Sequence, residues 1–154
     1  MSVPEGQRSR GKLAIETDAE KLLNYILDIT IKYYLPPEPS DTEKTTQDKL
    51  REYANAKWFV EQMRSEMLSC LSNIQTANKI IVEDNNTFYN RRRYQEQAER
   101  AVENVLTAAT LMYIRKLIKS KRIKYIGEQV GSLKRKIQNW RKSDKARYMS
   151  SVKK

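Results

Sequence analysis

The chain has 154 residues, of which 32% are charged and 39% are hydrophobic, and its formal net charge is +11. It contains no histidine and a single cysteine, Cys70, so it lacks the commonest general base and metal ligand and cannot form a disulfide framework or a cysteine-type zinc site. No apolar run approaches the roughly 20 residues that span a bilayer, and residues 1–12 lack the apolar stretch of a signal peptide, so we expect a soluble, cytoplasmic protein. Carboxylates are still available to an enzyme, but no pair of them stands out from an ordinary solvated helix surface, so we expect a non-enzymatic protein without a cofactor.

The first predicted helix begins at Thr17, because Thr17 and Glu20 have the spacing of a capping box. Its apolar residues recur at spacings of 4, 3 and 4, and they are Leu22, Ile26, Ile29 and Tyr33. Pro36 and Pro37 end it, because proline lacks the N–H and restricts the residue before it. We expect residues 1–16 to be a flexible arm.

The second predicted helix has a clear apolar period from Leu50 to Ile81. A second capping box, Ser40 with Glu43, favours an earlier start, although the polar stretch up to residue 47 is also compatible with a loop. Cys70 falls on the apolar face, which indicates a small core residue rather than a nucleophile. Asn and Asp at 84–86 favour turns and helix caps there.

The third predicted helix opens at Arg91, Arg92 and Arg93. Three consecutive side chains point in three directions, and cations are disfavoured at a helix N-terminus. The run therefore indicates either a partner contact or pairing with Glu96 and Glu99 at helical spacing. The core face of this helix is predicted to be Tyr94, Ala98, Ala101, Val105, Ala108 and Met112, and the next turn is expected at 119–121.

The fourth predicted helix has an apolar seam with spacings of 3, 4, 3, 4 and 3, formed by Ile123, Ile126, Val130, Leu133, Ile137 and Trp140. Four amphipathic helices with short connections predict an all-α, antiparallel up-down four-helix bundle over residues 17–145. Residues 146–154 are expected to be a flexible basic tail. Gly127 and Gly131 predict a close helix or subunit contact, and Tyr148 is the aromatic residue best suited to stack on a base.

The positive charge is concentrated in the last quarter of the chain. Residues 115–154 carry fifteen Lys or Arg and only two acids, Glu128 and Asp144, whereas residues 1–114 have a net charge of −2. A charged face that only confers solubility usually mixes signs, so a polyanion-binding surface is favoured. The predicted binding residues are the basic side chains Arg91, Arg92, Arg93, Lys121, Arg122, Lys124, Lys134, Arg135, Arg141, Lys142 and Lys145.

Two segments, RRRYQEQA at 91–98 and IQNWRKSDKARY at 137–148, resemble the Avd family, the accessory variability determinants of diversity-generating retroelements, which are related to the four-helix proteins of rRNA intervening sequences. The resemblance implies a four-helix bundle assembled into a homopentameric barrel. It also implies a bacterial or phage-encoded accessory protein that binds the reverse transcriptase and nucleic acid, either template RNA or DNA, and supports mutagenic cDNA synthesis. By position, Arg91, Arg92, Arg93, Arg141 and Lys142 would be surface contacts, while Tyr94 and Trp140 would pack.

Two other functions are compatible with the same charge pattern. One is a free-standing RNA- or ribosome-associated bundle that has no polymerase partner. The other is a structural oligomer whose positive charge docks an acidic protein. Salt dependence distinguishes phosphate binding from the last of these, because phosphate binding releases counterions.

Overall fold

The computed structural model describes residues 11–36 and 46–152, and within these ranges every regular element is a helix. Helix α1 spans Gly11–Thr30 and continues as a 3-10 turn over Ile31–Tyr34, α2 spans Thr46–Lys79, α3 spans Asn85–Ile114 and α4 spans Ser120–Val152. The capping box predicted at 40–43, together with the rest of 37–45, residues 1–10 and residues 153–154, lies outside the described residues.

The four helices form a bundle in which each helix packs against its neighbours in sequence, and α4 closes the bundle by packing against α1. The α2–α3 contact is the most extensive and the α4–α1 contact is the smallest of the four. The predicted four-helix bundle is therefore confirmed. One end of the bundle holds the 3-10 turn after α1 and the α3–α4 connection, and the other end holds the α2–α3 connection.

The core is formed by the apolar faces that the helical spacing predicts. Every residue of the α4 seam from Ile126 to Trp140 is at most 8% exposed, and Cys70 is fully buried. Burial raises the pKa of the Cys70 thiol to about 12, so the thiol is a neutral core group. The predicted stripe of α2 is wrong at its two ends, because Leu50 is 50% exposed and Ile81 is 42% exposed.

The helix boundaries differ from those predicted. Helix α1 begins at Gly11, so Thr17 and Glu20 lie inside it, and Ile15, 5% exposed, extends its buried face toward the N-terminus. Helix α4 runs to Val152, so residues 146–152 are helical rather than a tail.

Helix α3 begins six residues before Arg91, because Asp84 caps it. The Asp84 carboxylate accepts a hydrogen bond of 2.8 Å from the Thr87 backbone N–H, and the Asp84 N–H donates to the Thr87 hydroxyl at 3.0 Å. This backbone hydrogen bond, reinforced by the Thr87 hydroxyl, lowers the pKa of Asp84. The arginine triplet consequently lies at the end of the second turn of α3 and in its third turn, beyond the end where the helix dipole disfavours cations.

Candidate nucleic-acid interface

The α3–α4 connection is the most positively charged part of the described structure. We call residues 115–124 the basic turn, because they include six cations and no acid: Arg115, Lys116, Lys119, Lys121, Arg122 and Lys124. None of the six forms an ion pair within the described residues. Three of them were predicted as binding residues, and the other three were not.

A strained lysine makes this turn. Lys116 has a φ of 61°, the left-handed conformation that usually requires glycine. Its N–H donates to the Tyr113 carbonyl at 2.9 Å, and the Leu117 N–H donates to the Met112 carbonyl at 2.8 Å, the hydrogen bonds of a Schellman motif. The turn therefore lies at 115–119, before the predicted 119–121, and the usual glycine signal was absent because a lysine occupies the position.

The dipole of α4 increases the electrostatic repulsion in the basic turn. Helix α4 begins at Ser120, so Lys119, Lys121 and Arg122 lie at its positive end. Neighbouring like charges without carboxylate partners add to this unfavourable arrangement. The turn thus presents unneutralised positive charge on ordered backbone.

Hydrogen bonds and aromatic contacts attach the basic turn to α1. The Tyr33 hydroxyl donates to the Leu117 carbonyl at 2.8 Å. Burial, with a smaller contribution from nearby Tyr53, raises the pKa of Tyr33, so the hydroxyl keeps the proton that it donates. Arg122 donates to the Tyr25 hydroxyl at 3.2 Å, and the Tyr25 and Tyr125 ring centroids are 4.3 Å apart. The basic turn is therefore held against α1 at Tyr25 and against the 3-10 turn at Tyr33.

A cavity of about 1080 Å³ opens between the basic turn and the 3-10 turn after α1. Its lining includes five cations and a single acid, namely Lys32, Lys116, Lys119, Lys121, Arg122 and Asp28. Lys32 joins this surface although it is far from the basic turn in the sequence, so only the packing of α1 against the α3–α4 connection reveals it. The cavity is therefore suited to an anionic group.

A second basic surface follows the outside of α4. We call Lys124, Arg135 and Lys142 the outer stripe, because they fall within about 20° of one another on the helical wheel and span about 27 Å along the helix. All three are exposed and form no ion pair within the described residues, and Lys145 lies exposed beside them. Lys124 belongs to both surfaces, so the basic turn and the outer stripe are continuous.

Other predicted binding residues are paired with carboxylates of the same chain. Lys134 contacts Glu103 at 2.6 Å, and this hydrogen-bonded charge raises the pKa of Lys134. Arg141 contacts Glu99 at 2.5 Å, and Arg92 contacts Glu96 at 3.1 Å. Of the pairing predicted between the arginine run and Glu96 and Glu99, the described residues show the Arg92–Glu96 pair, whereas Glu99 pairs with Arg141 of α4. Arg93 is exposed and carries no ion pair among the described residues.

Arg91 contributes to a buried cluster at the other end of the bundle. Its guanidinium donates twice to Asp144, from Nε at 2.7 Å and from Nη2 at 3.2 Å, and once to the Ile80 carbonyl at 3.0 Å. Gln95 donates to the same carboxylate at 2.7 Å, and the Arg91 guanidinium lies 5.1 Å from the centre of the Trp140 ring. With side-chain exposures of 12% for Arg91 and 7% for Asp144, the arginine is a core-bridging residue rather than the predicted surface contact.

The two segments that carry the family resemblance meet in this cluster. Arg91 and Gln95 come from the first segment, and Trp140 and Asp144 come from the second. Tyr148, predicted to stack on a base, instead stacks on Phe88 with ring centroids 4.5 Å apart. The shared sequence pattern therefore corresponds to packing between α3 and α4.

Comparisons with protein-family models, with curated proteins and with solved structures found no match. The resemblance to the Avd family thus rests on the two segments alone. Within the described residues, no group of three or more His, Cys, Asp or Glu side chains could hold a metal ion. No helix in the part of the chain described is long and apolar enough to cross a membrane.

Gly127 and Gly131 do not serve a close helix contact within the chain. A Cβ added at Gly127 would lie 3.9 Å from the Leu106 Cδ1 atom, and one at Gly131 would lie 3.5 Å from the Arg135 side chain, so both positions have room. The two glycines instead line a groove of about 480 Å³ between α3 and α4, beside Leu106 and Leu111. The predicted subunit contact at the glycines stays a prediction.

Proposed function

We propose that this chain is a non-enzymatic nucleic-acid-binding protein that holds a phosphate backbone with the basic turn and the outer stripe. The observation that carries the proposal is that the six cations of the basic turn, among them Lys116 in the left-handed conformation, form no ion pair within the described residues. Phosphates are the densest common source of negative charge, and Lys and Arg are their usual protein ligands.

The basic turn is unfavourable for folding in three separate ways. Its cations repel one another, several lie at the positive end of α4, and Lys116 occupies a backbone conformation that costs an ordinary residue about 1–2 kcal/mol. Residues held in such sparsely populated backbone conformations cluster at functional sites. A phosphate backbone would relieve the repulsion, whereas a face that only confers solubility would not require it.

The resemblance supplies a more specific version of this proposal. In that version the protein is the accessory subunit of a diversity-generating retroelement, binds its reverse transcriptase and template RNA, assembles as a homopentamer and supports mutagenic cDNA synthesis. Light scattering tests the pentamer, and co-purification with the reverse transcriptase tests the partner. A free-standing RNA- or ribosome-associated bundle would bind RNA without that enzyme, and a structural oligomer would bind an acidic protein without RNA.

Fluorescence anisotropy with labelled RNA, titrated at several salt concentrations, tests nucleic-acid binding. Because bound phosphates release counterions, the affinity should fall by about 0.7 log unit per tenfold increase in salt for each phosphate neutralised on a single strand. Charge reversal of the outer stripe should abolish binding and leave the helical circular dichroism intact. This variant carries the three substitutions Lys124→Glu, Arg135→Glu and Lys142→Glu.

A matched control separates the position of the charges from the net charge. It reverses three exposed cations on α1, α2 and α3 that have no ion pair within the described residues, through Lys21→Glu, Lys79→Glu and Arg100→Glu. The net charge changes equally in the two variants, so this control should retain most of the affinity. Equal losses in both variants would show that binding follows net charge, and absence of RNA binding even at low salt would refute the proposed function.

A further inference from the structure

We propose that the basic turn binds single-stranded nucleic acid in preference to duplex, and that Tyr113 stacks on one of its bases. This inference rests on the proposed function and specifies the form of nucleic acid. A single strand exposes the faces of its bases, which aromatic side chains can stack on, while its phosphates contact neighbouring cations. Duplex bases are already stacked on one another, so a surface ring gains little from them.

Tyr113 is an aromatic residue whose side chain has no aromatic or ionic partner in the part of the chain that the structure describes. It lies in the last turn of α3 and is 43% exposed. Its ring makes no aromatic contact, cation contact or side-chain hydrogen bond among the described residues. Tyr125, by contrast, is packed against Tyr25, and Tyr148 is packed against Phe88. Tyr113 is therefore free to accept a base.

The position of Tyr113 places it on the path of a bound strand. It lines the cavity of about 1080 Å³, and it also lines a second cavity of about 520 Å³ next to Ile123 and Lys124. Ser120 and Lys121 line both cavities as well. A strand that passes from one cavity to the other would meet the tyrosine ring between lysines on both sides.

Exposed apolar side chains accompany the charge at this end of the bundle. Ile114 is 67% exposed, Ile31 is 50% exposed, and both line the larger cavity. The phosphates of a duplex would provide no apolar contact for these side chains. The apolar faces of unpaired bases provide a complementary partner for them.

The test measures anisotropy of labelled single-stranded RNA, single-stranded DNA of the same sequence, and the corresponding duplex. Wild type should bind either single strand more tightly than the duplex. Tyr113→Ala should weaken single-strand binding by about 5- to 150-fold, the range expected for loss of one stacked base. Tyr113→Phe keeps the ring and should bind like wild type. Tyr89→Ala removes a 61% exposed tyrosine at the opposite end and should have no effect.

Duplex affinity and the salt slope provide the readouts that isolate stacking. Both should be unchanged in Tyr113→Ala, since the substitution removes no charge, and thermal unfolding should confirm that the variant is folded. Equal affinity of Tyr113→Ala and wild type for the single strand would overturn this inference. If charge reversal of the outer stripe still abolished binding, the proposed function would stand without the inference about Tyr113.

Two further outcomes would also overturn the inference. If Tyr113→Ala changed the particle size in light scattering and left single-strand affinity unaltered, the ring would belong to a contact between copies of the chain. If wild type bound no nucleic acid at low salt, the proposed function would fail and the inference would fail with it.

Discussion

The buried bridge between Arg91 and Asp144 provides the sharpest test of the α3–α4 packing. Asp144→Ala would remove a carboxylate that accepts hydrogen bonds from Arg91, Gln95 and Arg147. Arg147 is 67% exposed and would become hydrated, but Arg91 is only 12% exposed and would be left with a buried, unneutralised charge. Breaking a buried pair in this way costs about 3–5 kcal/mol.

Urea denaturation followed by circular dichroism measures the change in unfolding free energy. For a chain of this size the expected loss corresponds to a fall in melting temperature of about 6–20 °C. The double variant Arg91→Met with Asp144→Leu should recover much of the loss, because replacing both charged partners by apolar groups is often nearly neutral. Comparing this double variant with its own single variants, Arg91→Met and Asp144→Leu, would measure the coupling between the two residues.

Glu103→Ala is the matched control, because it removes a carboxylate from another α3–α4 ion pair that is exposed. The side chains of Lys134 and Glu103 are 38% and 46% exposed, so this loss should be at most about 1 kcal/mol. A cost below about 1 kcal/mol for Asp144→Ala would contradict the reasoning, because it would mean that the bridge behaves as a surface pair. Neither variant is expected to change RNA affinity while the protein remains folded.

Three further predictions concern the basic turn and the core. Lys116→Gly should raise the unfolding free energy by about 0.5–1 kcal/mol, because it removes the strain of the left-handed lysine, and it should weaken RNA binding, because it removes a cation. A lower unfolding free energy in urea denaturation would contradict the strain at Lys116. Tyr33→Phe should cost about 0.5–1.5 kcal/mol and speed amide hydrogen exchange at 115–119, because the Leu117 carbonyl loses its donor, and unchanged exchange would argue against this anchor. Cys70 should resist alkylation in the native state. The pKa of its thiol is 9.0 in the unfolded chain and about 12 in the native protein, so the unfolding free energy of wild type should fall relative to that of Cys70→Ala as the pH rises from 9 to 12. A difference between the two unfolding free energies that stayed constant with pH would contradict the burial of this thiol.

Helical periodicity predicted the fold because burial of one helix face follows directly from residue spacing. The seam from Ile126 to Trp140, the alanines of α3 and the buried Cys70 all lie where the spacing placed them. The ends of the elements were less predictable. Asp84 extends α3 before the arginines, and Ile15 extends α1 before Thr17, because local capping and packing decide where a helix begins.

The candidate site was predicted only in part because ion pairing between helices is a tertiary property. The sequence locates an excess of cations in the last quarter of the chain, but it does not show that Glu103 neutralises Lys134 or that Asp144 buries Arg91. It equally gives no reason to place Lys32 beside the α3–α4 connection. The cations that lack an ion pair within the described residues can be identified only from the packing of the helices.

The sequence by itself determined the helical class, the apolar faces and the unequal distribution of charge, since these depend on residue type and spacing along one chain. The tertiary structure decided which cations form no ion pair within the described residues, where the α3–α4 turn lies and which tyrosines pack against another ring. Those properties depend on distances between helices. Arg91 and Lys116 illustrate the division, because packing buries the first against Asp144 and places the second, strained and unpaired, at the centre of the basic turn.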